Sequence, residues 1–595
     1  MRQTVTVTPQ HGAQVQADGS THFSLWAPNA RNVTLVMADR AIADRPELVM
    51  TAEQDGWFTA RVPEAIGCRY RFRIDHQLEV PDPASRWQPE GAAGPSCVID
   101  PHSYSWQVSN WLGRPWHETV LYEVHPGVMG GYSGIQAQLS RLAEMGVTAI
   151  ELMPLNEVPG QRNWGYDGVL PFAPQSSYGT PEQLRELIDQ AHALGLMVFV
   201  DVVYNHFGPE GNYLGEYAAD FFRTDIVTPW GPAIDFRRQA VRSFFCENAL
   251  MWLQDYRVDG LRLDAAHAIS EQSFLVELAS QVRSVLPPER HVHLVLENEH
   301  NDASLLAEGF DAQWNDDGHN TLHALLTGES ESYYADFATD TTHKLARCLQ
   351  EGFVYQGEPN RHGVARGEPS GELPPTAFVL FLQNHDQVGN RALGERLIHL
   401  TEQPALKAAT ALLLLSPMIP LLFMGEEWGS EQPFQFFTDY HDELAQAVRE
   451  GRRNEFSEFS AFADAVARNH IPDPNAVATF QASQPNWSDL ELPKHREWAD
   501  YYRRLLQIRH QYIIPHLVGS RAEAAHVLAD KAVTASWTLG NQSRLRIDLN
   551  LSETSVTTPP LTKAAKVIFA YGEDVAGAAN HLPPLSVVVS VEAEA

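Results

Sequence analysis

The sequence predicts an α/β protein: a (β/α)8 TIM barrel with an N-terminal β-sandwich domain and a small C-terminal β-sandwich domain. Three observations predict it. From Val120 onward apolar runs alternate with helical periods, and eight of those runs read as strands. Three of the runs stop at a carboxylate, in GLRLDAAH, HLVLENEHND and FVLFLQNHDQVGN. A strand that ends at an acid delivers a charged group to a cleft, because an ionised carboxylate is too costly deeper in the core.

Residues 1–108 alternate apolar and polar positions in short runs such as THFSLWAP, NVTLVM and YRFRID, separated by Gly, Pro, Asn and Asp. This is the pattern of an all-β sandwich. It closes in a Pro-rich region around Val80 to Pro95, and Trp111 to Glu118 lead into the next apolar run. Residues 109–515 then read VLYEVH, a helix near Ile135 to Met145, TAIELMP, a helix from Pro181 to Leu194, and MVFVDVVYNH. RVDGLRLDAAH, HVHLVLENE, FDAQW, AFVLFLQNHD and IPLLFMGEE complete the eight. Strands repeated with crossover helices run parallel, and eight such units close into a barrel with the active site at the strands' C-terminal ends. The stretch Ala408 to Met424, interrupted by Pro417 and Pro420, falls short of a bilayer span and reads as a buried helix and a core strand. After a helix from about Trp498 to His510, residues 516–595 return to strands in ASWTLG, RLRIDLN and LSVVVSVEA.

The chain has 595 residues, 44% of them hydrophobic, enough to bury several cores rather than remain disordered. Its 75 acids outnumber 43 bases for a formal net charge of -32, which argues against nucleic acid and anionic membrane as partners and leaves a neutral ligand. Cys68, Cys97, Cys246 and Cys348 show no metal-ligand spacing and read as buried thiols. The first residues, MRQTVTVTPQ, lack the basic and apolar regions of a secretory signal, which points to the cytoplasm.

Retaining hydrolysis of a glycosidic bond needs one carboxylate as nucleophile and one carboxylic acid to protonate the leaving oxygen, about 5 to 5.5 Å apart. Asp264 and Glu297, at the ends of adjacent strands, fit that need. Arg262, two residues before Asp264 and on the same face, would hold Asp264 ionised. Burial and the Asp264 charge would keep Glu297 protonated. Asp386 would support the oxocarbenium-like transition state, with His385 beside it and His206 in DVVYNHFG donating to the same sugar. Asp201 and Asn205 read as groups that orient their neighbours. Tyr166 in NWGYD would stack on a pyranose face. The pair of acids breaks the bond without a metal or other cofactor.

At these residues the resemblance is specific. DVVYNH, GLRLDAAH, LENEHND and FLQNHDQVGN resemble the four ordered motifs of the α-amylase superfamily of glycoside hydrolases. The resemblance implies that Asp264 is the nucleophile, Glu297 the general acid/base and Asp386 the transition-state stabiliser. It also implies an N-terminal sandwich of the kind found in branching and debranching enzymes. FDAQWNDDGHNTLHALLTGESESYYADF, QNHDQVGNRALGERL and PLLFMGEEWGSEQPFQFFTDY are similar to the malto-oligosyltrehalose trehalohydrolases within that superfamily. That similarity implies cleavage of the α-1,4 bond next to a terminal trehalose unit, after a malto-oligosyltrehalose synthase has made the substrate. It further implies sugar binding by Asn315, Asp316, Asp317, Asn384, His385 and Gln387, with a structural role as the alternative for Asp317 and with His267 on the leaving-group side.

Two departures stand out. The first strand reads YEVHPGVMGGYSG, with a shorter loop than the family's and no Thr-Phe pair after Gly127. The acid motif reads Leu-Glu-Asn-Glu in place of Ala-Glu-Asp or Ala-Glu-Ser, so Glu299 competes with Glu297, which lies flush with the strand end. Glycogen branching or debranching is the alternative activity, since it uses the same acids. A non-catalytic glucan-binding scaffold is a second alternative, which the intact acids and Arg262 oppose.

Overall fold

The computed structural model describes residues 10–38, 47–573 and 580–593. Two antiparallel sheets form the first module. One carries Gly12–Val15, Ser20–Trp26, Trp57–Pro63 and Thr51–Ala52; the other carries Glu47–Val49, Val33–Met37, Arg69–Ile74 and Leu78–Val80, with Ser96–Cys97 paired to Arg69–Ile74. Alternate residues such as Tyr70, Phe72 and Ile74 are buried, as the period of two requires.

Eight parallel strands close into a barrel: β1 (Leu121–Val124), β2 (Ala149–Leu152), β3 (Met197–Val202), β4 (Gly260–Leu263), β5 (His293–Leu296), β6 (Ala312–Trp314), β7 (Phe378–Phe381) and β8 (Ile419–Phe423). They are the eight runs read from the sequence, in the same order. The helix near Ile135 to Met145 is in fact two short helices, Gly131–Gln136 and Leu139–Met145. Six residues separate β1 from the first of them, so the loop there is short.

The barrel interior is layered. Leu121, Ala149, Met197, Phe199, Val295, Ala312, Trp314, Val379, Phe381, Ile419 and Leu421 form one apolar cluster, with Trp111 and Trp116 packed against it. Because side chains alternate along a strand, the next inward positions toward the C-terminal end are Glu123, Glu151, Asp201, Arg262 and, past the strand ends, Asp264, Glu297 and Asp316. Gly260 is required by this filling, since a Cβ there would meet the Phe199 ring at 2.1 Å.

Beyond β8 the chain runs through Asp442–Glu455 and Pro493–Tyr512 to a second β-module. Its five-stranded sheet orders Arg521–Ala529, Ala532–Thr538, Arg544–Asn550, Ser586–Glu592 and Ala565–Tyr571, faced by the pair Val556–Thr557 and His581–Leu582. Cys68, Cys246 and Cys348 are buried as expected, whereas Cys97, on the edge strand of the first module, is half-buried. Among the described residues no helix is long and apolar enough to cross a membrane.

Candidate active site

Arg262 organises the floor of the cleft. It is buried on β4, its guanidinium lies 4.2 Å over the Trp314 ring, and its Nη1 donates to Asp201 Oδ2 at 2.7 Å and to Asp264 Oδ1 at 2.9 Å. Its Nη2 lies 3.2 Å from Glu297 Oε2. One guanidinium therefore touches both carboxylates and holds them on the same side of the cleft floor.

Local backbone geometry fixes the acid. Ala265, directly after Asp264, adopts φ 39° and ψ 48°, a left-handed conformation that costs a non-glycine residue about 1–2 kcal/mol. In it the Ala265 N–H donates to Glu297 Oε2 at 2.6 Å. Oε1 makes no hydrogen bond among the described residues. Glu297 is 17% exposed, while Glu299 is 64% exposed and reaches only His267, at 3.8 Å.

The carboxylates crowd one another. Burial, with the charges of Glu297, Asp201 and Asp386, pushes the Asp264 carboxyl well above its ordinary range, and Arg262 pulls against them. Burial likewise raises Glu151, next to Glu123 and Asp201 on the inner layer. Acids this close cannot all ionise, so the cluster as a whole retains protons.

Asp386 stands in the first turn of the short helix His385–Gly389, 40% exposed, and accepts from Asn390 Nδ2 at 3.1 Å. His385 turns Nδ1 toward Glu123 Oε1 and Nε2 toward Asp386 Oδ1 at 3.4 Å. Burial opposes its charge, but Asp386 and Glu123 outweigh it and raise the imidazole to about 9. Tyr166 stacks on His385 at 5.0 Å and donates its hydroxyl to Asp201 Oδ2 at 2.6 Å.

Several residues expected to bind the sugar also make hydrogen bonds within the protein. Asn315 is buried and caps the helix Asp316–Thr327, its Oδ1 accepting from the Gly318 N–H at 3.1 Å and its Nδ2 donating to Gly352 O at 2.9 Å. Asp317 is buried behind the cleft, where Oδ2 accepts from Asn301 Nδ2 and the N–H groups of Val354 and Tyr355, each at 2.9 Å, and Oδ1 pairs with Arg366. Asn384 is buried too and caps the next helix, accepting from the Gln387 N–H at 2.8 Å. His206 gives its Nε2–H to Tyr166 O at 2.9 Å and lies under Trp230, so that donor serves the protein; burial lowers its pKa to about 4 and keeps it neutral.

Glu297, Asp316, Asp386 and Gln387 line an open cleft of about 1040 Å³ that runs on past Glu299 and His300 to Tyr333, Asn360 and His362. His267 sits beside it, its ring 5.2 Å from that of His300. Two inner-layer acids escaped the sequence reading. Glu123 and Glu151 stand within VLYEVH and TAIELMP rather than at the ends of those runs, and the signal for them is the inward parity they share with Leu121 and Ala149. The wall formed by Tyr333, Asn360 and His362 was missed as well, because it comes from irregular chain with no periodicity. Among the described residues no group of three or more His, Cys, Asp or Glu side chains is arranged to hold a metal ion.

Comparison with known proteins agrees with this fold. The alpha amylase catalytic domain family matches residues 121–228, Carbohydrate-binding module 48 (Isoamylase N-terminal domain) matches residues 10–89, and a domain of unknown function, DUF3459, matches residues 520–589. A Deinococcus radiodurans protein named malto-oligosyltrehalose trehalohydrolase is 38% identical over 92% of this chain and 94% of its own. One of the same name from Saccharolobus solfataricus is 39% identical over 84% and 87%. The crystal structure of a Salmonella typhimurium protein, an alpha amylase by its provisional name, superposes with a TM-score of 0.92 at 42% identity, covering 98% of this chain and all of that one. A pullulanase from an Anoxybacillus species, with a TM-score of 0.73 at 16% identity over 99% of this chain and 88% of its own, shares the fold.

Proposed function

Since the chain belongs to the malto-oligosyltrehalose trehalohydrolase family of α-amylase-type glycoside hydrolases, we propose that Asp264, Glu297 and Asp386 carry out its reaction as nucleophile, general acid/base and transition-state stabiliser. The enzyme is a glycoside hydrolase acting on the α-1,4 glucosidic bond adjacent to the terminal trehalose of malto-oligosyltrehalose. Asp264 attacks the anomeric carbon while the proton on Glu297 passes to the glycosidic oxygen, and trehalose departs. Glu297, now ionised, takes a proton from water as that water displaces the malto-oligosaccharide from Asp264, and two inversions retain the α configuration.

The observation that carries this reading is the joint contact of Arg262 with Asp264 and Glu297. The Arg262 cation pulls against the burial and neighbouring charges that raise the Asp264 carboxyl, which favours the ionised form a nucleophile needs, and it holds Glu297 beside it. Asp386, backed by the His385 cation, faces the charge that develops on the ring. Tyr166, Asp316 and Gln387 bind the sugar on the cleft side, and His267 serves the trehalose side together with the wall beyond Glu299. The substrate has to come from a malto-oligosyltrehalose synthase, the functional partner of this enzyme, and we assign both to the cytoplasm.

Incubation with malto-oligosyltrehalose tests the reading. Equimolar trehalose and malto-oligosaccharide are expected; shortened or branched maltodextrin without trehalose would select the branching or debranching alternative.

A further inference from the structure

The junction between the N-terminal module and the barrel buries a cation with which no carboxylate forms an ion pair among the described residues. Arg185, on the helix Pro181–Ala193, is 1% exposed. Its guanidinium lies 4.6 Å over the Tyr256 ring, and its Nε reaches Asp255 O at 3.5 Å, at the limit of a hydrogen bond. Among the described residues it forms no ion pair. Arg509, equally buried, shows how this chain otherwise satisfies such a group: its Nη atoms donate to the carbonyls of Leu414, Ser416 and Met418 at 3.0, 2.7 and 2.7 Å. An unpaired buried charge is costly, so Arg185 calls for a counter-ion.

Beside it is the space for one. Arg185 lines a cavity of about 270 Å³ together with Gln14 and Arg86 of the first module and Asp255, Tyr256 and His102. Arg86 Nε, Arg185 Nη1 and the Tyr256 hydroxyl are all buried without a hydrogen-bond partner among the described residues. Asp255 is the one carboxylate of the lining, and it is already paired with Arg86 Nη1 at 3.1 Å. The lining sets two guanidinium groups against one carboxylate and carries three donors without a partner among the described residues, from three elements of the chain. Guanidinium groups together with a hydroxyl recognise the oxygens of a phosphate group.

We propose that this cavity binds an anion of phosphate chemistry through Arg185, Arg86 and Tyr256, and that the bound anion ties the N-terminal module to the barrel. The phosphate group comes either as inorganic phosphate or as the monoester of a small sugar. The formal net charge of -32 repels anions at long range, so saturable binding has to arise from a local site.

Isothermal titration of the full chain with inorganic phosphate and, separately, with glucose 6-phosphate, at constant ionic strength, tests this. Heat that saturates at one anion per chain is expected from at least one of the two, the tighter of them identifying the source, with a Tm that climbs as that anion is added. Arg185→Gln is expected to lose the heat and the Tm response while releasing trehalose at the unaltered rate. Gln14→Glu, which places a carboxylate in the lining, is expected to lose both responses as well and stands in if Arg185→Gln fails to fold. Absence of saturable heat in the unaltered chain, or equal heat in all three proteins, would overturn the proposal and leave the cavity to water.

Discussion

Arg262 and Asp264 stand two residues apart on one strand, and the guanidinium of the first reaches the carboxylate of the second at 2.9 Å while its other nitrogen lies 3.2 Å from Glu297. Period-two alternation brings them together: both face into the barrel, Arg262 within the strand and Asp264 just past its end. A single buried cation thus steadies one member of the proposed catalytic pair and positions the other.

Arg262→Lys keeps the charge and loses the fork. A lysine cannot reach Asp201, Asp264 and Glu297 at once, so kcat/KM is expected to fall by about 10²- to 10³-fold, the usual effect of removing one organised donor. Steady-state kinetics on malto-oligosyltrehalose checks it, with circular dichroism to establish that the variant is folded.

Glu297→Gln and Glu299→Gln separate the two neighbouring acids. Glu297 is bound to Ala265 N–H and Arg262, whereas Glu299 is mostly exposed. The first variant is expected to lose about 10²- to 10⁴-fold in kcat, the range of general acid–base catalysis. The second is expected to stay within a few-fold of the unaltered rate. Rates measured side by side decide between them.

His385 is raised to about 9 by Asp386 and Glu123, against burial, from an ordinary 6.5. A folded-state value above the unfolded one means that the folded protein binds the proton more tightly. The stability this supplies is therefore complete below about 6.5 and is lost as pH rises through about 9. Urea unfolding between those limits is expected to show a falling stability in the unaltered protein and a flatter profile in His385→Gln.

Gly260→Ala tests the barrel filling. A Cβ at Gly260 would lie 2.1 Å from the Phe199 ring, inside a packed layer. Overpacking of this kind costs roughly 1–3 kcal/mol, to be read as a lower urea midpoint at unchanged slope.

The barrel was legible in the sequence because each strand is a short apolar run bounded by a helical period, and the acids proposed to react lie at run ends. What the sequence reading passed over turns on helix starts. Asn315 and Asn384 immediately precede helices, where the side-chain oxygen of each answers an unpaired backbone N–H, a role their place beside Asp316 and Asp386 did not suggest. Asp317 follows Asp316 by one residue and so projects about a quarter-turn away, to the packed side of the same helix. The far wall of the cleft was not legible at all, since Tyr333, Asn360 and His362 meet Glu299 only through tertiary packing.

The central claim is that Asp264 forms the covalent bond to the sugar. Trapping the glycosyl-enzyme with a 5-fluoro-α-glucosyl fluoride, followed by proteolysis and peptide mass spectrometry, tests it most directly. The account expects the added mass on the peptide carrying Asp264, and none in Asp264→Asn; a stable adduct on Glu297, Glu299 or Asp386 would contradict it.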